Sequence, residues 1–339
     1  MSFNASRNLD RLLNGDSLTE AVARDMAHAL AKGSLEPALA GALLATLRSK
    51  GESAEEVRGL ARGLRELAMT PAFETPRDAC DLVGTGGDGS NSYNISTGGA
   101  LLAAAAGATI VKHGNRSISS RSGAADLLAA LGMAVPLPHP ADMLRDTRFV
   151  YLHAPAYHPA MATIAPIRKA MGVRTVFNIL GPLTNPARPP FAVIGAYSLA
   201  VAGLMAEALA GMDIDRAFVV HGEPGWDEAT PCGPFLLFDV RPGSVQRIER
   251  DPQKAGLHRC TPDALKGGTP EDNASALRRV LLGNDTGPHR DALTLTAGLA
   301  LEVSGKAGDL PAGVAMAEEA INDGRASSLL ERIASDNAV

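Results

Sequence analysis

Three stretches of this chain hold side chains whose types and spacing could do chemistry. The run Gly84-Thr85-Gly86-Gly87-Asp88-Gly89 follows a short apolar stretch. Glycines let a backbone come close to an anion and aim several N–H groups at it. Asn94, Ser96 and Thr97 come next, just ahead of an Ala-rich helical pattern whose N-terminus favours negative charge. Gly84, Gly86 and Gly89 also satisfy G-x-G-x-x-G, so a dinucleotide site has to be tested. Such a site needs a helix opening at the loop and an acid about twenty residues later for the ribose hydroxyls. The continuation Ser90-Asn91-Ser92-Tyr93-Asn94-Ile95 is too polar and turn-prone for a first helical turn. Ile110, Val111 and Lys112 stand where the acid belongs, and the first carboxylate after Asp88 is Asp126. Nicotinamide binding is disfavoured, and a phosphate cradle fits better.

The second stretch, Lys112-His113-Gly114-Asn115-Arg116-Ser117-Ile118-Ser119-Ser120-Arg121-Ser122-Gly123, again joins a predicted strand to a predicted helix. It brings Lys112, Arg116 and Arg121, four serine hydroxyls and another helix N-terminus. Two such loops at neighbouring strand ends suit a ligand with phosphates at both ends; two ordinary polar turns are the plainer alternative. The third stretch is Trp226-Asp227-Glu228, after the apolar run Phe218-Val219-Val220-His221-Gly222. Adjacent carboxylates at a strand end suit Mg²⁺, which takes a few carboxylates plus waters and ligand phosphates. Taken alone, an Asp-Glu pair is a solvated loop.

The elements that must position these loops follow from periodicity. The first seventy or so residues read as helices. Ser17-Leu18-Thr19-Glu20 and Ser53-Ala54-Glu55-Glu56 have the form of capping boxes. Val22, Met26 and Leu30, then Val57, Leu60, Leu64 and Leu67, recur at helical spacing, and Pro71 and Pro76 close the region. From Cys80 onward, strands are predicted over 80–83, 108–112, 149–152, 191–196, 216–220 and 235–240. Helices are predicted over 98–106, 124–131 and 200–211 between them. The alternation predicts an α/β domain with a largely parallel sheet. Residues 159–189, rich in proline and basic side chains, depart from it and read as an excursion back to the helical region.

Composition narrows the class. A 339-residue chain with 45% hydrophobic and 20% charged residues is globular and long enough for a large core. Its formal charge of −5 argues against a general nucleic-acid binder. No apolar run is long enough to span a bilayer, and MSFNASRNLDRLL lacks the layout of a secretory signal, so a cytoplasmic location is expected. Cys80, Cys232 and Cys260 are widely spaced and read as small hydrophobes rather than a disulfide framework or zinc site.

Taken together, the loops resemble those of the anthranilate phosphoribosyltransferases, within the nucleoside phosphorylase/phosphoribosyltransferase class II family. The resemblance runs along almost the whole chain. It is carried by DLVGTGGDG, NISTGGA, VKHGNRSISSRSGAADLLAALG, APAYHPAM, PIRKAMGVRTVFNILGPLTNPA, the WDE segment and GVAMAEEAINDGRA. It implies a small helical domain (1–72 plus about 160–189) and a larger α/β domain (73–159 plus 190–339), with the active site in the hinge cleft. It also implies a homodimer joined through the helical domain. Gly84, Gly87, Asp88, Ser92, Asn94, Ser96, Thr97, Lys112 and Ser120 would hold phosphoribosyl pyrophosphate. Mg²⁺ would be held by Ser96, Asp227 and Glu228. Gly84, Asn115 and Arg168 would receive anthranilate, and His113 and His158 would line its route unless they are structural histidines. A guanidinium can meet a carboxylate with two hydrogen bonds, which suits Arg168; a salt bridge is its ordinary alternative.

The chain departs from the family's usual residues at Ser92, Tyr93 and after the acidic pair in Trp226-Asp227-Glu228-Ala229-Thr230-Pro231-Cys232. The implied reaction is transfer of a phosphoribosyl group to an aromatic amine. Two rivals remain at this point. A pyrimidine nucleoside phosphorylase shares the architecture but carries a Lys-His-Ser-Thr-Gly-Gly pattern where Val83–Asp88 stands here. A non-catalytic paralogue sensing a phosphorylated ligand would be expected to lose the acidic pair or Lys112, and this chain keeps both.

Overall fold

The computed structural model describes residues 3–116 and 121–335. Four helices come first: α1 (Ala5–Leu13), α2 (Glu20–Ala31), α3 (Pro37–Lys50) and α4 (Ala54–Glu66). The α4 capping box is formed. Ser53 Oγ accepts from Glu56 N–H at 3.2 Å while the Glu56 carboxylate accepts from Ser53 N–H at 2.7 Å. Such a cap contributes about 1 kcal/mol. Buried Glu56 also accepts from Leu18 N–H at 2.8 Å and pairs with Lys50 at 3.0 Å, pinning the α1–α2 linker to α4. The box predicted at Ser17 does not form. Thr19 is the N-cap of α2, and Glu20 is instead drawn across to Arg58 (2.5 Å) and Arg62, two cations that outcompete a local N–H.

Strands and helices then alternate: β1 (Ala79–Gly84), α5 (Ile95–Ala105), β2 (Thr109–Gly114), α6 (Ala124–Ala130), α7 (Pro140–Thr147) and β3 (Phe149–His153). The excursion consists of α8 (Ala154–Tyr157), α9 (Met161–Met171) and α10 (Phe177–Leu180). The sheet resumes with β4 (Phe191–Gly195), α11 (Leu199–Ala210), β5 (Arg216–Gly222), β6 (Phe235–Arg241) and β7 (Ser244–Arg250). It is followed by α12 (Pro270–Leu281), α13 (Pro288–Val303), α14 (Leu310–Asn322) and α15 (Arg325–Ser335).

One seven-stranded sheet runs β3-β2-β1-β4-β5-β6-β7. Pairings from β3 through β5 are parallel; β6 and β7 join antiparallel. Strand β7, absent from the sequence expectation, alternates polar and charged residues along an edge and never presents an apolar run. One face of the sheet is covered by α5, α6 and the C-terminal helices. Helix α13 lies inside this layer, buried at every residue from Asp291 to Val303. Its carboxylate Glu302 is answered by Arg250 at 2.5 and 2.8 Å, which makes a charge in the core tolerable.

On the other face, Ile194, Val219 and Phe238 pack with α11 and with the helical bundle. Ile164, Val176, Phe177, Ile179 and Leu180 enter the same core as Leu43, Leu47 and Leu60. The residues of 159–189 thus lie against α2, α3 and α4, although more than ninety residues of α/β chain intervene. Apolar burial at about 25 cal/mol per Å² is the force that closes so long an excursion.

Candidate functional site

The sheet order reverses at β1: the chain moves outward through β2 and β3, then returns to place β4 on β1's other side. In open parallel sheets such a switch point leaves a crevice beyond the strands' carboxyl ends, where ligands bind. The glycine loop leaves β1 at that crevice. Gly84 and Gly195 are register partners, and Thr85 N–H donates to Gly195 O at 3.0 Å. The Asp227 main chain and carboxylate lie directly over these two glycines, so a Cβ at either position would collide with Asp227. Gly86 and Gly87 have φ of +68° and +73°, the left-handed turn that side-chain-bearing residues avoid. The turn aims Gly86 N–H at Asp227 Oδ2, 2.6 Å away.

Three carboxylates share this spot. Asp227 N–H donates to Asp88 Oδ2 at 3.1 Å. Glu228 Oε2 accepts from Ser92 Oγ at 2.7 Å, and Oε1 accepts from Ser96 N–H at 3.2 Å. The pair predicted from sequence is therefore not a solvated loop. Asp227 is 8% exposed, and no cation lies within 4 Å of either acid among the described residues. Burial, then the Glu228 and Asp88 charges, hold the Asp227 carboxyl well above its ordinary range. Burial pushes Glu228 up to about 7. Burial and mutual repulsion oppose ionising both acids, and a bound cation would offset that repulsion. Among the described residues no three His, Cys, Asp or Glu converge as a protein-only metal cage. Mg²⁺ does not need one, because it takes one or two carboxylates and fills the rest with water and substrate phosphate. The residues fit the ion. A cavity lined by Ser96, Gly195, Asp227, Glu228 and Thr296 lies at this point.

Helix α5 begins at Ile95, earlier than the predicted 98, because Asn94 adopts a left-handed conformation (φ +65°) that turns the polar loop into a helix start. The Asn94 side chain does not cap this helix. It donates to Ser122 O at 2.9 Å and accepts from Asn273 Nδ2 at 2.8 Å, tying the two loops together. Thr97, 1% exposed, sits inside the first turn. Ser120 lies outside the described residues.

Beneath the loops runs a buried polar network. Lys112, 2% exposed, donates to the Leu82 carbonyl rather than reaching outward; burial lowers its pKa, and Asp81, Glu228 and Asp227 oppose that fall. Asp81 accepts from His113 N–H at 3.2 Å and from Asn185 Nδ2 at 2.8 Å. Burial raises its pKa to about 6, with Lys112 and Asn185 acting the other way. Asn185 also donates to Val111 O and accepts from Ala187 N–H, each at 2.9 Å.

Among the residues predicted for the second substrate, His113, His158 and Asn115 gather at the end of β2. His113 and His158 stack at 5.1 Å between ring centroids. Both are buried, and neither Nε2 has a hydrogen-bond partner among the described residues. Burial lowers both, His113 to about 3. Asn115 is exposed just beyond them; its carbonyl accepts from Ala125 N–H at 3.4 Å. Arg168, half-buried on α9, lies over the Phe177 ring at 5.5 Å and pairs with no carboxylate among the described residues.

Arg174 is a contributor that the sequence reading passed over. It leaves the segment after α9, stacks on Tyr197 at 4.5 Å and donates to the Gly87 carbonyl, while its own carbonyl accepts from Arg48 of α3. Helical bundle and glycine loop are joined through it. Asp81 and Asn185 were likewise missed, since a single acid in a strand and an amide in a Pro-rich loop carry no local motif. Only a polar side chain inside an otherwise apolar strand could have signalled Asp81.

Comparison with known proteins agrees along the chain. The sequence pattern described as the glycosyl transferase family helical bundle domain matches residues 7–68, and that of the same family's a/b domain matches residues 76–327. The anthranilate phosphoribosyltransferase of Desulforudis audaxviator is 44% identical, covering 96% of this chain and 94% of its own length. That of Methylobacterium nodulans is 42% identical, covering 96% of each. The crystal structure of the Thermus thermophilus anthranilate phosphoribosyltransferase superposes with a TM-score of 0.90 at 41% identity, covering 98% of this chain and 99% of that one. The Saccharomyces cerevisiae enzyme, solved in complex with PRPP and Mg, gives 0.87 at 27% identity and covers 98% of each.

Proposed function

The chain belongs to the anthranilate phosphoribosyltransferases, and we propose how its own residues perform their reaction. This glycosyltransferase moves the 5-phosphoribosyl group of phosphoribosyl pyrophosphate onto the amine of anthranilate, a step of tryptophan biosynthesis. The products are N-(5-phosphoribosyl)anthranilate and pyrophosphate.

The observation that carries the site assignment is the meeting of glycine loop, α5 N-terminus and buried acid pair at the β1–β4 crevice. We place phosphoribosyl pyrophosphate against Gly84, Gly87, Asp88, Ser92, Asn94, Ser96 and Thr97, with Ser120 in the neighbouring loop. Lys112 serves this site from behind, supplying positive charge beneath the acids rather than a direct contact. Asp227, Glu228 and Ser96 would hold Mg²⁺, which when bound supplies positive charge to the departing pyrophosphate.

The amine nitrogen attacks ribose C1 as the C1–O bond to pyrophosphate breaks, through an oxocarbenium-like transition state, and the nitrogen then sheds a proton. No covalent nucleophile is needed. Placement matters most, because the aromatic amine is a weak nucleophile. Arg168 receives the anthranilate carboxylate, Gly84 and Asn115 border it, and the paired His113 and His158 rings line its path.

We assign residues 1–72 with about 160–189 to the helical domain and 73–159 with 190–339 to the α/β domain; the core shared by Leu43, Leu60, Ile164 and Leu180 supports that division. Homodimerisation through the helical domain and a cytoplasmic location complete the proposal. Among the described residues no helix is long and apolar enough to cross a membrane. The deciding assay mixes purified protein, Mg²⁺, phosphoribosyl pyrophosphate and anthranilate and follows loss of anthranilate fluorescence. Turnover with phosphate and thymidine instead, or none with either pair, would overturn the assignment.

A further inference from the structure

Cys232 and Cys260 stand 28 positions apart in the chain, yet their Sγ atoms are 3.7 Å apart. Their backbones run side by side, with Cys260 N–H donating to Pro231 O at 3.4 Å. Cys232 and Cys260 are each partly buried, whereas Cys80 is fully buried. A disulfide requires about 2.05 Å between sulfurs, so the two must approach by roughly 1.7 Å to bond.

We propose that Cys232 and Cys260 form a reversible disulfide, a modification site that clamps the carboxylate loop to residues 257–266. Cys232 closes the loop that carries Asp227 and Glu228. Its backbone N–H donates to Thr230 Oγ1 at 3.2 Å, and Thr230 Oγ1 donates to Glu223 O at 3.0 Å, so the loop is already folded on itself. The opposing segment reaches the other wall of the crevice: Leu265 O accepts from Tyr93 N–H at 3.3 Å, and Gly267 N–H donates to Asn91 O at 2.7 Å. One covalent bond therefore ties the acid pair's loop to the support of the glycine loop.

The oxidant is a small disulfide such as oxidised glutathione. Either cysteine can open the exchange; with Cys232 attacking first, it runs in two balanced steps. The Cys232 thiolate forms a mixed disulfide and releases one glutathione thiolate, which takes up a proton. Cys260 then gives up its proton and attacks Cys232 Sγ, displacing the second glutathione. Two protein thiols are oxidised and one oxidised glutathione becomes two thiols.

Because the sulfurs are nearly in place, the bond fastens the loop in its present shape, and the expected change is in stability rather than in turnover. The test treats the intact protein with oxidised glutathione and maps it by mass spectrometry without reduction. Expected are one peptide pair linked Cys232–Cys260, a single remaining thiol at Cys80, and a melting temperature higher by about 5 °C that dithiothreitol reverses. Cys232→Ser and Cys260→Ser should each lose both the linked peptide and the shift, while their reduced forms melt with the reduced parent. Separate glutathione adducts on the two cysteines, cross-linked dimers, or a linked pair with no change in melting would each overturn the clamp.

Discussion

Asn185 is the most informative residue to remove, because its amide answers three buried groups at once. Asn185→Ala leaves the Asp81 carboxylate, the Val111 carbonyl and the Ala187 N–H without their partners at 2.8, 2.9 and 2.9 Å. An orphaned buried neutral group costs about 1–3 kcal/mol and a charged one more; with some relaxation the total is roughly 4 kcal/mol. That is a large share of a domain's ordinary 5–15 kcal/mol. The cost should also depend on pH, with a definite sign. Burial raises Asp81 from the usual aspartate value near 3.8 to about 6, so folding is favoured by its protonated form. The stability it contributes is present below pH 4 and is lost as pH rises through 6, by roughly 3 kcal/mol. Losing the Asn185 hydrogen bond takes away an interaction that lowers this pKa, so the loss extends above pH 6. Urea titrations at pH 5 and pH 8 should therefore give a larger destabilisation at pH 8, with unchanged slopes. Equal costs at both pH values, or a cost below about 1 kcal/mol, would refute the reasoning.

Three further outcomes test the site. Asp227→Asn combined with Glu228→Gln should abolish turnover with far-UV circular dichroism unchanged; activity surviving within tenfold would remove the metal assignment. Arg168→Ala should raise the apparent KM for anthranilate far more than that for phosphoribosyl pyrophosphate, since its guanidinium pairs with no carboxylate among the described residues; equal effects count against it. Arg174→Ala frees the Gly87 carbonyl from its tether and should raise the KM for phosphoribosyl pyrophosphate about tenfold, the worth of one hydrogen bond to a charged group, with Arg174→Lys recovering part; an unchanged KM would show that the glycine loop holds itself.

Local patterns made much of this protein legible in its sequence. The 2- and 3.6-residue periodicities announce the helical bundle and the alternation of strands and helices, because each element must bury one face whatever its neighbours are. The Gly84–Gly89 loop was legible for a similar reason: glycine takes the positive φ of Gly86 and Gly87 without the steric cost a side chain brings, and that demand is written in the residue itself. Even the dinucleotide alternative could be set aside from spacing, through the missing acid. Boundaries were less legible. The α5 start hung on one left-handed Asn94, and the α2 cap moved from Ser17 to Thr19 when two distant arginines claimed Glu20.

Tertiary structure decided what those residues can do. Asp227-Glu228 is an ordinary polar pair until β5 carries it over Gly84 and Gly195, where burial and a third carboxylate change its chemistry. Lys112 looked like an outward phosphate ligand and is turned inward to Leu82. Arg174, Asp81 and Asn185 reach partners 87, 32 and 104 positions away, and Cys232 meets Cys260 only in the folded chain. The physical reason is the same in each case. Backbone conformation and amphipathic faces are set by near neighbours, whereas the dielectric around a charge and the partner of a hydrogen bond are set by whatever the folded chain brings beside it.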